Sequence, residues 1–398
     1  MKTNGQLDFS DPDTVMQLTK TLLQVDFDLK MELPDDRLCP PVPNRHNYIL
    51  WLKDLLDTSS YQEPGRRLSG LDIGTGASCI YPLLGCTQRP WYFVATDIDP
   101  KSLAYARKNV QANHLENRIR ILARTATDAL LPLDDLDVES IDFVMTNPPF
   151  YETDAEMRAS AKLKSRPPNS ACTGAPVEMV CEGGEVAFVG RILAESLRLR
   201  ERVQWYTSML GKLSSLEVVV DMLREKGVGN YAVTEFVQGH KTRRWAVAWS
   251  FGLMRPAQDV ARGMKALAWK KILPPTVDYV LGDGPIRDVG ALGASIDATM
   301  QSLELISWHW DKQRLEGVGR ARENVWSRAW RRRKLRERDN APGGSSVGAS
   351  ADDETCSFGF VIGVTVGVKE TRVACRWAEG HDEVIFTSFC GFLKTQLG

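Results

Sequence analysis

Two clusters of residues in this 398-residue chain have types and spacing that could do chemistry. The first is Leu71-Asp72-Ile73-Gly74-Thr75-Gly76-Ala77-Ser78, which closes a short apolar run, residues 68–73, that reads as a strand. Glycines directly after a strand let the backbone turn sharply and approach a ligand closely. The third glycine of a dinucleotide fingerprint is absent, since position 79 is cysteine, and a glycine loop by itself also fits a plain turn. What strengthens the ligand reading is the next strand, which ends in Thr96-Asp97-Ile98-Asp99. An acidic residue about 20 positions beyond such a loop can accept hydrogen bonds from a ribose diol. Asp97 is the candidate for that role, whereas Asp99, directly before Pro100, is better suited to cap a helix.

The second cluster, Thr146-Asn147-Pro148-Pro149-Phe150-Tyr151, follows an apolar run over residues 141–145. Asn-Pro-Pro-aromatic after a fourth strand resembles the signature of methyltransferases that act on planar amide or amino nitrogens. An exocyclic adenine amine is a poor nucleophile because its lone pair is delocalised into the ring. The Asn147 side-chain oxygen and the Pro148 carbonyl can accept both amino hydrogens and favour a more pyramidal nitrogen. Pro148 and Pro149 stiffen the loop, so that the acceptors are aimed before the substrate arrives. Phe150, with Tyr151 behind it, offers a stacking face for an extruded base. The competing reading of the run is a proline turn after a strand.

Several elements must hold these clusters. Apolar runs at 68–73, 91–96, 118–122 and 141–145, with a helical pattern over 101–113, alternate as strand and helix, which implies a parallel sheet covered on both faces. With runs at 231–238 and 243–251 they supply six strands of the seven-stranded, mostly parallel sheet expected to be complete by about residue 251. Ahead of it, residues 10–33 read as a helix capped by Ser10 or Asp11, and residues 48–56 as another, joined by the proline-rich connector 39–43. Residues 256–398 differ in texture: a helical region around 264–271, a strand near 303–310, a basic helix over 320–338, strands at 357–367 and 371–377, and a last helix at 389–397. The Gly/Ser/Asp-rich stretch 339–355 reads as a disordered insertion. The expected organisation is an N-terminal helical extension over 1–66, a Rossmann-like domain over 67–255 with a long loop at 152–183, and a C-terminal α/β module over 256–398.

Composition narrows the classes. With 43% hydrophobic and 25% charged residues the chain reads as a soluble globular protein. The 50 Lys and Arg offset 51 Asp and Glu, so net charge points to no partner, but residues 320–338 hold nine basic residues against two acidic ones. The 8 cysteines and 5 histidines are scattered without metal-ligand spacing, which argues against a structural zinc site or a disulfide framework. No apolar leader or bilayer-length stretch is evident, and the expectation is an intracellular, reduced protein.

A longer resemblance joins the clusters. Residues 41–49 (Pro-Val-Pro-Asn-Arg-His-Asn-Tyr-Ile), 74–85 (from Gly74-Thr75-Gly76-Ala77-Ser78-Cys79-Ile80-Tyr81-Pro82 to Gly85) and Asn147-Pro148-Pro149-Phe150 resemble the U6 small nuclear RNA N6-adenosine methyltransferase family, to which bacterial ribosomal RNA large-subunit methyltransferase F is related. The likeness continues through Arg166-Pro167-Pro168, Glu182-Gly183-Gly184-Glu185, 205–212 and 244–251, and covers roughly residues 8–251. It implies a Rossmann-like class I methyltransferase, S-adenosyl-L-methionine as methyl donor, and N6 of an adenosine in structured RNA, most specifically U6 small nuclear RNA in the nucleus, as acceptor. By position it implies Arg45, Gly74, Gly76, Ser78, Asp97 and Asn147 at the cofactor, with Asn147, Pro148, Pro149 and Phe150 at the reacting centre. Asp97 stands where many members carry glutamate, which keeps the acceptor and shortens its reach. A threonine after the third strand also belongs to that site; Thr125 and Thr127 are both candidates, with Thr127 slightly preferred. Arg45, in the connector, pairs with a cofactor carboxylate or is a surface charge. Lys162, Lys164 and Arg166 in the long loop, and Arg328, Arg331, Arg332, Arg333 and Lys334 around Trp326 and Trp330, are the candidate RNA contacts. A solvated loop, a solvated helix face or a nuclear import signal are the bland alternatives. The rival functions are ribosomal RNA adenine methylation and non-catalytic RNA binding on a methyltransferase fold.

Overall fold

The computed structural model describes residues 7–9, 11–153, 155–156, 174–238, 242–264, 271–285, 288–340, 355–368 and 370–397. Lys162, Lys164, Arg166 and most of the insertion expected at 339–355 lie outside them. The chain forms two compact units, the first comprising Met1–Asp57, Tyr61–Gly252 and Val260–Pro274. The second comprises Thr58–Ser60, Leu253–Asp259 and Pro275–Gly398.

The first unit opens with helices α1 (Pro12–Phe27) and α2 (Val42–Thr58). Asp11 caps α1, accepting from the Asp13 and Thr14 amides, and Pro12 occupies the first turn, where no intrahelical N–H is lost. Helix α2 begins earlier than position 48, because prolines at its entry suit a first turn; Arg45 is therefore helical rather than part of a connector. Residues 28–33 run along the fourth helix, with Leu29, Met31 and Leu33 buried. The Lys30 and Glu32 amides donate to Asn113 and Asn109 at 2.8 and 2.7 Å. The segment ahead of the sheet is thus built into the unit.

The sheet follows: β1 (Ser69–Ile73), α3 (Ile80–Gln88), β2 (Tyr92–Asp97), α4 (Pro100–Ala112), β3 (Ile119–Ala123) and β4 (Ile141–Thr146). Then come α5 (Pro176–Met179), α6 (Gly184–Leu199), β5 (Val203–Leu210), α7 (Leu213–Glu225), β6 (Tyr231–Gln238), β7 (Thr242–Trp249), α8 (Gln258–Ala261) and β8 (Arg262–Gly263). Strand order is β3-β2-β1-β4-β5-β7-β6-β8. Pairs from β3 through β5 are parallel, and β7 is antiparallel to both β5 and β6. The six expected runs all lie in this one sheet, and two strands join them: β5, which none of those runs covered, and β8. The two-residue β8 pairs parallel to β6, so the sheet closes beyond residue 251. Leu71, Val144, Tyr206, Val233 and Trp249 form its buried centre, as befits strands covered on both faces. Sequence order reverses between β1 and β4, and ligands of open α/β sheets bind at such a switch point, outside the carboxyl ends of the strands.

The second unit is a five-stranded antiparallel sheet, β10-β11-β12-β13-β9, built from β9 (Asp278–Pro285), β10 (Ser307–Asp311), β11 (Glu316–Ala321), β12 (Phe358–Val366) and β13 (Glu370–Glu379). Helices α9 (Val289–Gln301), α10 (Arg328–Asn340) and α11 (Glu383–Leu397) accompany it. The basic helix expected to start at 320 starts at Arg328, because residues 316–321 alternate small inward residues and pair with β12. A Cβ on Gly319 would stand 2.3 Å from the Phe360 ring, a packing that requires glycine there. Arg320 is consequently a strand residue, held by a two-pronged ion pair to Glu379 at 2.9 and 3.0 Å. The helix also runs through 339 and 340, the first residues of the expected insertion. Trp326 is 3% exposed, its ring 4.6 Å from Phe389 and 5.4 Å from Phe358. Trp326→Ala is expected to cost about 3–5 kcal/mol. Hydrogen exchange of the variant should speed up across residues 358–397, and unchanged protection there would show that this ring does not organise the second unit.

Candidate active site

Strand register assembles the site. Ile73 at the end of β1 pairs with Thr96 at the end of β2 and with Thr146 at the end of β4. Gly74 and Asn147, which leave the sheet, and Asp97, the last residue of β2, therefore stand side by side. Side-chain hydrogen bonds lock the register: the Thr146 hydroxyl donates to the Ile73 carbonyl at 2.8 Å, and the Thr96 hydroxyl to the Asp72 carbonyl at 3.3 Å. The Gly74 and Thr75 amides both donate to the Thr96 carbonyl at 2.9 Å. Gly74 and Gly76 have φ of +70° and +66°, a left-handed conformation in which glycine avoids a Cβ clash.

Asp97 clamps this loop. One carboxylate oxygen accepts from the Gly76 amide at 2.8 Å and the other from the Asp99 amide at 2.9 Å. Burial raises its pKa, and these backbone N–H bonds oppose the rise. Asp99 takes the cap, accepting from the Ser102 amide at 2.8 Å and pairing with Arg37 at 3.0 Å. The two acids thus divide the work by geometry.

Arg45, Gly74, Gly76, Ser78, Asp97, Asn147 and Pro149 line a single cavity. Arg45 is 4% exposed, which removes the surface-charge reading; its Nη1 lies 3.5 Å from the Met209 sulfur and its guanidinium 5.6 Å from the Tyr81 ring centre. Thr125 also lines the cavity, whereas Thr127 is off its wall with its hydroxyl 3.1 Å from that of Thr125. Thr125, rather than the slightly preferred Thr127, is thus the candidate that the backbone brings to the cavity: just after β3 the Arg124 amide bonds the Asp97 carbonyl at 2.9 Å. Pro148 and Phe150 stand just past the wall, with the Arg244 guanidinium 5.5 Å from the Phe150 ring centre.

The site holds buried acceptors that the protein itself does not satisfy. Asn147 Oδ1 has no hydrogen-bond partner, and neither oxygen of Asp72 has one. A buried acceptor left unpaired costs about 1–3 kcal/mol, so such groups point to a ligand that completes them. Asp72 is fully buried at the base of the glycine loop, a role that escaped the sequence although the residue stands inside the glycine-loop motif. Burial pushes its carboxyl up to about 7; the nearby Thr75 hydroxyl, outside hydrogen-bonding geometry, and the Arg45 charge offset only part of that. Glu178 on α5 is a further unanticipated wall residue, whose carboxylate accepts from the Leu38 and Ala175 amides at 2.9 and 3.0 Å.

Residues 1–252 match the model of a family described as RNA methyltransferase. The chain belongs to this RNA methyltransferase family. It is 39% identical, over 99% of its length and 96% of the relative's, to the U6 small nuclear RNA (adenine-(43)-N(6))-methyltransferase of Schizosaccharomyces pombe. It spans only about half the length of the vertebrate relatives it matches, 51% for Danio rerio and 45% for Homo sapiens. Among solved structures it resembles the human Mettl16 catalytic domain in complex with MAT2A 3'UTR hairpin 1, with 43% identity, a TM-score of 0.59, and coverage of 66% of this chain and 89% of that one. The N-terminal domain of human METTL16 in complex with SAH is similar at 42% identity and a TM-score of 0.52, covering 63% and 87% of the two chains. The first unit has the Rossmann-like class I methyltransferase fold of this family.

The candidate RNA contacts of this family member sort into two groups on α10. Arg333 pairs with Glu323 and, at 3.7 Å, with Glu337; Lys334 pairs with Glu304 at 3.0 Å. Both lie on the side of Trp330, which packs against the core of the second unit. Arg328, Arg331 and Arg332 are exposed and share the opposite face with exposed Leu335, at spacings of three, four and seven residues. Among the described residues no group of three or more His, Cys, Asp or Glu could hold a metal, and no helix is long and apolar enough to cross a membrane.

The Asp72 carboxyl makes a pH-dependent contribution of definite sign. Its ordinary value is 3.8 and its folded value about 7, so between them the folded chain keeps a proton that the unfolded chain releases. Stability from this group is fully present below the lower value and is lost as pH rises, by about 1.4 kcal/mol per pH unit, until the upper one. Asp72→Asn cannot titrate, so the difference in unfolding free energy between wild type and variant should decline across that window and level off above it. Urea titrations at several pH values measure it; a difference independent of pH would mean that Asp72 ionises normally in the folded protein.

Proposed function

We propose that this chain transfers the methyl group of S-adenosyl-L-methionine to the exocyclic N6 of an adenosine in structured RNA, and that U6 small nuclear RNA in the nucleus is its substrate. The observation that carries the reading is the unpartnered, buried Asn147 Oδ1 at the wall of the cavity, beside the stiff Pro148-Pro149 turn. When bound, the cofactor supplies an electrophilic methyl group. Asp97 and the Gly74–Gly76 backbone suit its ribose, and Arg45 suits its carboxylate. Asn147 Oδ1 and the Pro148 carbonyl accept the two amino hydrogens of adenine and turn its lone pair toward the methyl group. Phe150 stacks on the extruded base, with Arg244 fixed near the ring. No general base is required if the proton leaves to solvent after transfer. The near full-length similarity to a U6 small nuclear RNA methyltransferase supports the choice of RNA.

Incubation of the purified chain with labelled S-adenosyl-L-methionine and total RNA should label U6 small nuclear RNA at N6 of adenosine. Asn147→Ala should abolish that label while RNA affinity stays close to wild type, because the variant loses an acceptor of the amine and keeps the basic surfaces. Equal loss of binding and rate would make Asn147 a structural residue instead. A separate test concerns the second unit, whose exposed Arg328, Arg331 and Arg332 we assign to phosphate contacts. Replacing all three with Ala should weaken RNA binding and flatten the slope of log affinity against log salt by about 0.7–0.9 for each phosphate no longer neutralised. Arg333→Ala, which removes a cation already paired with Glu323 and Glu337, should leave the slope nearly unchanged. Fluorescence anisotropy across a salt series reads both; equal slopes for the triple variant and wild type would remove α10 from the RNA interface.

A further inference from the structure

Three of the sequence runs shared with the family have no role in the cavity described above: Glu182-Gly183-Gly184-Glu185, the Gly211-Lys212 pair and Arg244. They meet at Phe150. Glu185, in the first turn of α6, is 3% exposed. Its carboxylate points away from solvent and accepts from two consecutive backbone amides, Gly211 at 2.6 Å and Lys212 at 3.1 Å. A buried carboxylate bonded in this way holds a loop more tightly than a neutral group would. The held loop lies close against Phe150 and leaves no room for a side chain, since a Cβ on Gly211 would lie 2.7 Å from Cδ1 and 3.1 Å from Cε1 of that ring. On another side the Arg244 guanidinium stands 5.5 Å from the ring centre. Burial lowers the Arg244 pKa and the neighbouring Arg45 charge lowers it further, while the Glu185 charge acts in the opposite sense and favours the charged guanidinium.

We propose that Glu185 is a positioning residue for the acceptor base, fixing through the Gly211-Lys212 backbone the orientation in which the Phe150 ring receives it. The inference rests on the reading of Phe150 as the stacking face. Glu185 is not among the residues that line the cavity, and its influence on methyl transfer is assigned to the aromatic ring that its loop packs against. Aromatic geometry is demanding because a misplacement of about 1 Å near the reacting atoms can cost a hundredfold in rate. Glu185→Gln preserves size and can serve only one of the two amides, presenting an NH2 group to the other donor.

The test uses the full chain with 4-fluorophenylalanine at position 150 and U6 small nuclear RNA as the probe. In wild type the fluorine should give one narrow resonance, and in Glu185→Gln a shifted or broadened one. The variant should lose about ten- to a hundredfold in kcat at saturating RNA while the dissociation constants for RNA and for S-adenosyl-L-methionine hold. Gly211→Ala, which crowds the ring from the same loop while keeping Glu185, should reproduce both effects and stands in if the glutamine variant fails to fold. In a Phe150→Ala background the glutamine substitution should have little further effect on rate, since residues acting as one unit are not additive. An unchanged resonance in both variants, or full additivity with Phe150→Ala, overturns the proposal. A shifted resonance together with no methylation of the RNA by wild type would count against the proposed function and leave the positioning role standing.

Discussion

The structure depends first on the register of three parallel strands. With Ile73, Thr96 and Thr146 level at the ends of β1, β2 and β4, three loops from distant parts of the chain emerge at one edge. A slip of one residue in either pairing would turn every side chain of the slipped strand to the opposite face. The hydroxyls of Thr96 and Thr146, bonded to carbonyls of β1, resist such a slip at the edge where the loops begin. The reversal of strand order between β1 and β4 leaves the crevice into which those loops open.

Around that edge the protein tolerates polar groups that a core would reject. The Asp72 carboxylate sits under the glycine loop without a hydrogen bond, and Asn147 Oδ1 lacks a partner. Neighbouring groups already have protein partners: Asp97 serves two amides while each of its oxygens keeps a lone pair for a ribose hydroxyl, Asp99 caps a helix and Glu178 ties two segments. The contrast separates residues that build the cradle from residues reserved for what enters it. Burial supplies the energetic cost and the bound molecule would offset it.

The second unit sorts its arginines by what lies opposite each one. Charge density in the sequence makes residues 320–338 look uniform, yet Arg320 belongs to a strand, Arg333 and Lys334 are matched to acids, and Arg328, Arg331 and Arg332 face outward. An exposed ion pair adds little stability, but a cation already paired is less available to a phosphate than one facing solvent.

Much of the cavity's lining was legible in the sequence. Local chemistry made it so: a glycine loop after a strand, an acid after the next and a proline-stiffened Asn-Pro-Pro-Phe turn are each written in a few contiguous residues. The alternation of apolar runs likewise specified a parallel sheet, because strands buried on both faces need such runs. Nothing local specified where Arg45 would lie, since its burial depends on α2 packing against the sheet, where the Tyr48 and Thr207 hydroxyls come within 2.6 Å. Nor could spacing choose Thr125 over Thr127, separate Arg333 from Arg331, or bring Glu185 and Gly211 to Phe150. Those outcomes turn on contacts between residues far apart in the chain, and only the folded backbone, by bringing distant segments within a few ångströms, decides them.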